Sequence, residues 1–598
     1  MKLASLALAA SAIALTGCAT YPDAASLPGQ AQTAALDTAF EKIADRYIDA
    51  SVDLNPVYGT MMGDHSGDGE LPDLSATGRM AQKRVAQGFL AALKTIDKES
   101  LSRGDQVDYM LLKNALEYEL WGIETEQQWA WNPQYYNDVA TYSLYGLVSR
   151  DFAPFADRFD NITSRMEKLP ALLAAARKEI DVARVPKIHA ETVASQNAGI
   201  MAIVEGMIDP QVAAGDFDRT RYDAAKAKLA DALAEHQKWL DEVLVPGAKG
   251  EFRLGPDKYA AKMGYALQSS MSVAELKASA QQAYVETRSH MLAVASKIGD
   301  CGKLGASAAK TREQAVIECG LEKSYENRAS REGLEDAARA TLKQATEFTY
   351  AKGFIRPMDG PVKIITMPEA FWGNSVAYLD APGALDRDQP AYYAVAPIPE
   401  SWSDEQATSF LKEYNISMLH LLSIHEGVPG HALQLDHANK YDGLLRSVLA
   451  SGPFIEGWAV YSEKVMADEG YLGAMDTVEG RYFLLNGLKF RLRAIINTLL
   501  DIGIHTEGMT REQAMDMMMK GGFQQEREAA GKWVRANLTS VQLLSYFNGY
   551  AEHVAMREEA EKRLGTQFDQ RAYHDEALSY GSPPVKYVRA LMFDLPIE

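Results

Sequence analysis

A regular helix cannot run through His425-Glu426-Gly427-Val428-Pro429-Gly430-His431 and still aim both histidines at one point. Six helical residues turn through about 600°, which leaves the two imidazoles roughly 120° apart. Pro429 removes a backbone donor and crowds the preceding turn, and Gly430 admits backbone angles that other residues avoid. The stretch therefore predicts a bulge or break at Val428-Pro429-Gly430 that swings His431 back toward His425. The chemistry gives a reason for it. Two neutral imidazoles and an adjacent Glu are the parts of a hydrolytic zinc site: His425 and His431 hold the ion, and Glu426 takes a proton from water as general base.

Such a site needs a third protein ligand and an open position. The candidate is Glu456, 25 residues beyond His431, within Phe454-Ile455-Glu456-Gly457-Trp458-Ala459. This segment resembles the Asn-Glu-Gly-Phe-Ala stretch of the zinc aminopeptidases, whose Glu binds the metal. Glu463 follows seven residues later, two turns along nearly the same helix face. It is expected to accept a hydrogen bond from a ligand histidine. The ligand types point to one Zn2+, and manganese or cobalt suit the same donors.

Around this centre the pattern is mainly α-helical. Apolar residues recur at three- and four-residue steps over 36–50, 80–96, 107–120, 155–182 and 222–244. Asp37 and Ser102 read as N-caps, and Pro170 and Pro186 as breaks or starts. One small β-sheet is expected just before the metal-binding helix, from 362–367, 375–378 and 391–395, with turn chemistry at Pro382-Gly383. No internal repeat is visible. The division read from the chain is a helical lobe over 36–345 and a catalytic lobe over 346–598. Tyr392 and Tyr393, on the third strand, are candidates to pair with an extended substrate.

Residues 1–17 read as a signal peptide: Lys2, an apolar run from Leu3 to Leu15, then Leu15-Thr16-Gly17-Cys18. The run is too short to span a bilayer stably. Small residues before a Cys resemble the bacterial lipoprotein box, with Cys18 acylated. Ala19 after it fits outer-membrane sorting, facing the periplasm. Residues 18–35 then form a flexible tether. The two remaining cysteines, Cys301 and Cys319, lack the paired spacing of a thiolate metal site and fit a disulfide in an oxidising compartment. With 61 basic against 81 acidic residues the net charge is −20, which argues against nucleic acid as a partner. Contact with the membrane is expected through lipid alone.

The His-Glu-x-x-Pro-Gly-His-x-x-Gln block, from His425 to Gln434, resembles the bacterial family called domain of unknown function 885, grouped by similarity with gluzincin-like metallopeptidases. The flanks agree: Asn55-Pro56 with Gly63-Asp64, Leu71 to Ser75, Gly104 to Tyr109, Asp501 to His505 with Gly508, Gln542 to Tyr546 with Gly549, and Tyr573-His574-Asp575 with Gly581. The resemblance implies a large helical body with a deep cleft and zinc peptidase chemistry, on short peptides by analogy of fold. Tyr546 and His574 become candidates to steady the oxyanion, with His505 behind them. Arg535 matches a family Arg and is a candidate to receive a substrate carboxylate. One departure stands out. The family tends to show Pro-Gly-Gln where this chain has Ser540-Val541-Gln542. Two rivals remain at this point: a zinc hydrolase or lyase acting on a non-peptide amide, and a lipid-anchored binding protein with an inactive site.

Overall fold

The computed structural model describes residues 29–367 and 377–598. The proposed signal peptide and Cys18 lie outside them. The architecture is mainly α with one three-stranded sheet. The elements used below are α1 (Gly29–Leu54), α2 (Arg103–Trp121), α3 (Phe155–Glu179), α4 (Thr220–Trp239), α5 (Leu334–Lys352), β1 (Lys363–Thr366), β2 (Ala377–Asp380), β3 (Tyr392–Val395), α6 (Ile416–Leu422), α7 (His431–Ala438), α8 (Gly452–Asp468), α9 (Val478–Glu507), α10 (Glu526–Leu538), α11 (Leu544–Leu564) and α12 (Gln570–Ser579).

The helices follow the apolar stripes, with two differences in how they start and stop. The Ser102 hydroxyl caps α2, accepting from the Asp105 N–H at 3.2 Å. Asp37 caps nothing: α1 already begins at Gly29, inside the stretch read as tether, and the Asp37 carboxylate accepts from the Ser102 N–H at 2.8 Å. Pro170 sits within α3, which continues past it, whereas Pro186 does precede a helix, Lys187–Gln196. Burial of one face of α3 against α4 outweighs the one backbone bond that a proline removes.

The expected lobe boundary at 345/346 falls in the middle of α5, so the chain is not divided there. The halves are bound together instead. Arg446 is 1% exposed, pairs with Asp108 of α2 at 2.5 Å, and donates to the Gly104 and Tyr580 carbonyls. Two of the distant segments that carry the family resemblance thus meet on one guanidinium. Cys301 and Cys319 form a disulfide with their Cα atoms 5.6 Å apart.

The sheet order is β1-β3-β2, with β1 parallel and β2 antiparallel to β3. β3 is therefore the central strand, paired on both sides. This corrects the expectation that Tyr392 and Tyr393 pair with substrate: no edge of β3 is open, Tyr393 is fully buried, and Tyr392 lies under the Arg150 guanidinium. The strand that faces the motif is β2.

Candidate metal centre

α6 starts at an Asn415 cap, whose side chain accepts from the Ser417 and Met418 N–H groups, and leads straight into the motif. Over Ser423–Gly427 the backbone widens into a π-helical turn. The helix then breaks where the sequence requires. Val428 is extended, the Val428–Pro429 bond is cis, and the Gly430 N–H returns to the Ile424 carbonyl at 2.9 Å. α7 begins afresh at His431. Gly430 is needed for both angles and space: its φ of −76° with ψ of −132° falls outside the α and β regions open to other residues, and a Cβ there would lie 2.1 Å from the His425 carbonyl oxygen. The Trp458 indole N–H donates to the Pro429 carbonyl at 2.8 Å and holds the break against α8.

The reversal brings the His425 and His431 rings to 4.7 Å between centroids, nearly perpendicular. Glu456, on the second turn of α8, projects between them. Its Oε2 lies 3.4 Å from Nε2 of each histidine. The three ligand atoms all fall within 4.8 Å of one another. Glu456 Oε2 is buried and has no hydrogen-bond partner, although two imidazole nitrogens lie beside it. A cation between the three groups satisfies that oxygen, so the donor set fits a zinc ion.

Surrounding groups orient the ligands. Glu463 Oε1 lies 2.8 Å from His425 Nδ1, which fixes that ring's proton on Nδ1 and leaves the Nε2 lone pair available as a ligand. Glu426 Oε2 accepts from the Leu379 N–H of β2 at 2.9 Å. That contact explains the position of the small sheet: its β2 edge anchors the proposed base. α8 is pressed against α11 at Gly457 and Gly549. A Cβ on Gly457 would lie 2.3 Å from the Gly549 carbonyl carbon, so the two backbones touch.

Charge is tightly managed here. Burial raises the Glu426 carboxyl above its ordinary value, aided by Glu456 and opposed by His425 and His431. Burial also penalises Glu456, yet the two imidazoles outweigh it and hold that carboxyl below its usual range. His425 is pulled down by burial, but Glu456 and Glu463 more than offset this.

Tyr546 lies on the same side. Its oxygen accepts from the Arg535 guanidinium at 3.1 Å, and burial followed by the Glu456 charge raises its pKa. Arg535 also donates to Gln542 at 3.0 Å. Where the family pattern has Pro-Gly, this chain has Ser540-Val541. Val541 stands in the glycine's place with φ 70°, a left-handed conformation unusual for a β-branched residue, held by a bond from its N–H to Asp501 at 2.9 Å.

Two candidates are corrected. His574 cannot donate to an oxyanion, because both its nitrogens are spent: Nδ1–H donates to the Phe354 carbonyl and Nε2 accepts from the Tyr461 hydroxyl, each at 2.8 Å. His505 spends its Nε2 proton on the Ala536 and Thr539 carbonyls. Several site groups carry weak sequence signals. The Leu379 N–H belongs to a short strand in a turn-rich stretch. Lys532, 6% exposed, had a signal in its three-residue spacing from Arg535 on α10, which places both on one helix face. Phe490, 5.8 Å from the His425 ring, is an apolar residue among many on α9.

The comparisons agree with this picture at the level of family. The model for a bacterial protein of unknown function, DUF885, matches residues 56–592. The chain belongs to that family. A protein from Shewanella oneidensis described as a lipoprotein of unknown function is similar, with 33% identity and a TM-score of 0.78 over 92% of this chain and 99% of that one. A protein from Colwellia psychrerythraea described as a lipoprotein shares the fold at 15% identity, with a TM-score of 0.73 over 93% of this chain and 98% of its own. No curated protein matches the chain.

Proposed function

We propose that this protein is a zinc-dependent peptidase, with His425, His431 and Glu456 as ligands and Glu426 as general base. The convergence of two imidazoles and an unpartnered carboxylate oxygen beside the half-buried Glu426 carries the reading. Zinc held there supplies Lewis acidity toward water and the scissile carbonyl. Glu426, its pKa raised and one oxygen fixed by Leu379, takes the proton of the attacking water and returns it to the leaving amine. Tyr546 accepts from Arg535 through its oxygen and so keeps its own proton to donate to the oxyanion. Among the described residues β2 is an edge strand, and it is there rather than at β3 that an extended peptide is proposed to add, beside the Leu379 N–H that Glu426 already holds.

The same reading makes the protein an exported lipoprotein, tethered through Cys18 to the outer membrane and facing the periplasm. Its support is the residue pattern at 1–18 and the description of the two structural neighbours. No helix among the described residues is long and apolar enough to cross a membrane.

The test is metal analysis of the purified protein together with mass spectrometry of products from a peptide mixture and from non-peptide amides. About one zinc per chain, peptide products that vanish on chelation, and none from Glu426→Gln are expected. Zinc-loaded protein that leaves peptides intact and cleaves only non-peptide amides would redirect the reading. Absence of bound zinc would end it.

A further inference from the structure

Three lysines are buried among the described residues, and they do not behave alike. Lys262 pairs with Glu126 at 2.6 Å, and Lys489 with Glu413 at 2.8 Å. Lys532 has no hydrogen-bond or ion-pair partner among the described residues, although it is 94% buried in a chain with an excess of acid. Taking an ammonium out of water without a counter-charge costs several kcal/mol in general. Burial lowers the Lys532 pKa well below its ordinary value, and the amine holds a proton most readily with an anion alongside it.

Its surroundings indicate what that anion is. Lys532 lies one turn from Arg535 on α10, and Arg535 has no carboxylate partner either, only Gln542 and Tyr546. Across from them on α9, Arg491 stacks on Tyr550 and has no ion-pair partner among the described residues; its Nε is buried without a hydrogen bond. Tyr546 and Tyr550 flank Gly549, whose backbone touches Gly457 next to Glu456, and Phe490, the neighbour of Arg491, packs 5.8 Å from the His425 ring, which places this cationic group beside the proposed metal ligands. The neighbouring carboxylates are engaged: Glu426 with Leu379, Glu463 with His425, and Glu528 with Arg493 and Tyr414. Among the described residues no acid other than the proposed ligand Glu456 is left there to receive a substrate ammonium, while Lys532, Arg535 and Arg491 have no carboxylate partner.

We infer that Lys532, with Arg535 and Arg491 beside it, receives the free terminal carboxylate of a peptide bound at the metal centre, so that the chain acts from the carboxyl end of its substrates. This rests on the peptidase reading for the cleavage step only. Carboxylate is the shared chemistry, and an acidic side chain is its other source. A terminal carboxylate is favoured because it lies on the backbone, a fixed distance from the scissile bond whatever the sequence.

The experiment measures calorimetric binding of N-acetylated trialanine to the metal-free full chain, as the free acid, as the amide, and as an amide with an Asp in place of the last Ala. The acid is expected to bind about tenfold or more tighter than either amide, a preference that collapses toward one in Lys532→Met. Melting curves of Lys532→Met check that it is folded, and the wild-type acid-to-amide ratio stands without any variant. Equal binding of acid and plain amide overturns the inference. Equal binding of acid and Asp amide also overturns it, by moving the recognised carboxylate to a side chain. Strong preference for the acid without cleavage by the zinc-loaded protein leaves the carboxylate site standing and removes the peptidase reading.

Discussion

The two faces of α8 use buried histidine in opposite ways. On one face, Glu456 and Glu463 meet His425 and His431, and a carboxylate stands beside each imidazole. On the other, Trp458 and Tyr461 pack against His553 and His574. His553 donates to the Phe454 carbonyl, and His574 to the Phe354 carbonyl. Carbonyls and phenols bond to a neutral ring but bring no net charge, so burial drives His553 down to about 4 and His574 to about 3. Carboxylates do the reverse at His425, whose pKa lies well above its ordinary value despite equal burial. Burial alone thus says little about a histidine's role. Its partners decide it: an acid partner marks a ring placed to gather charge, and a carbonyl partner marks a ring that serves the core.

The comparison can be broken or sharpened by experiment. The largest effect is expected from Glu426→Gln on the acidic face, where peptide turnover falls by about 10²–10⁴ with zinc content and melting temperature unchanged. Residual turnover close to wild type would strip that face of its proposed base. Next is His574→Leu on the opposite face. It leaves the Phe354 carbonyl unpaired and should cost about 2–3 kcal/mol in thermal unfolding, with the zinc stoichiometry intact. Loss of zinc instead would show that the two faces are not independent. Glu463→Gln removes the acid behind His425 and should weaken zinc binding about 10–100-fold in a chelator competition, with little change in folding.

The smallest effect is pH-dependent. His553 and His574 are neutral when folded and take up protons more readily when unfolded. Their contribution is complete above the unfolded pKa of about 6.5 and declines as pH falls toward 4 and then 3. Each should contribute about 1–2 kcal/mol to the loss of stability between pH 7 and pH 5. A melting series across that window, with and without His574→Leu, measures the difference in slope; identical slopes would contradict the assignment.

The acidic face was more legible in the sequence than the aromatic one, for a physical reason. Two histidines with Pro429 and Gly430 between them conflict with a regular helix, and Glu456 and Glu463 repeat on one face, so local spacing already encodes convergence. The sheet and the disulfide were legible through β-branched runs and cysteine scarcity. His574 was misread because its partners, Phe354 and Tyr461, are 220 and 113 residues away, and no local pattern reports them. The central position of β3 was likewise hidden, since strand order depends on how the chain crosses rather than on composition. Lys532 escaped notice because a lysine reads as solvated until its burial is seen.

The contact between Gly457 and Gly549 sets a tolerance for the whole centre. With bare main chain meeting main chain, there is no rotamer between the helix that carries Glu456 and the helix that carries Tyr546. The spacing of the two backbones that carry Glu456 and Tyr546 is therefore set by main chain packed directly on main chain. Even one added methyl at that crossing would shift the entire constellation, whereas drift in side chains elsewhere would leave it where it is.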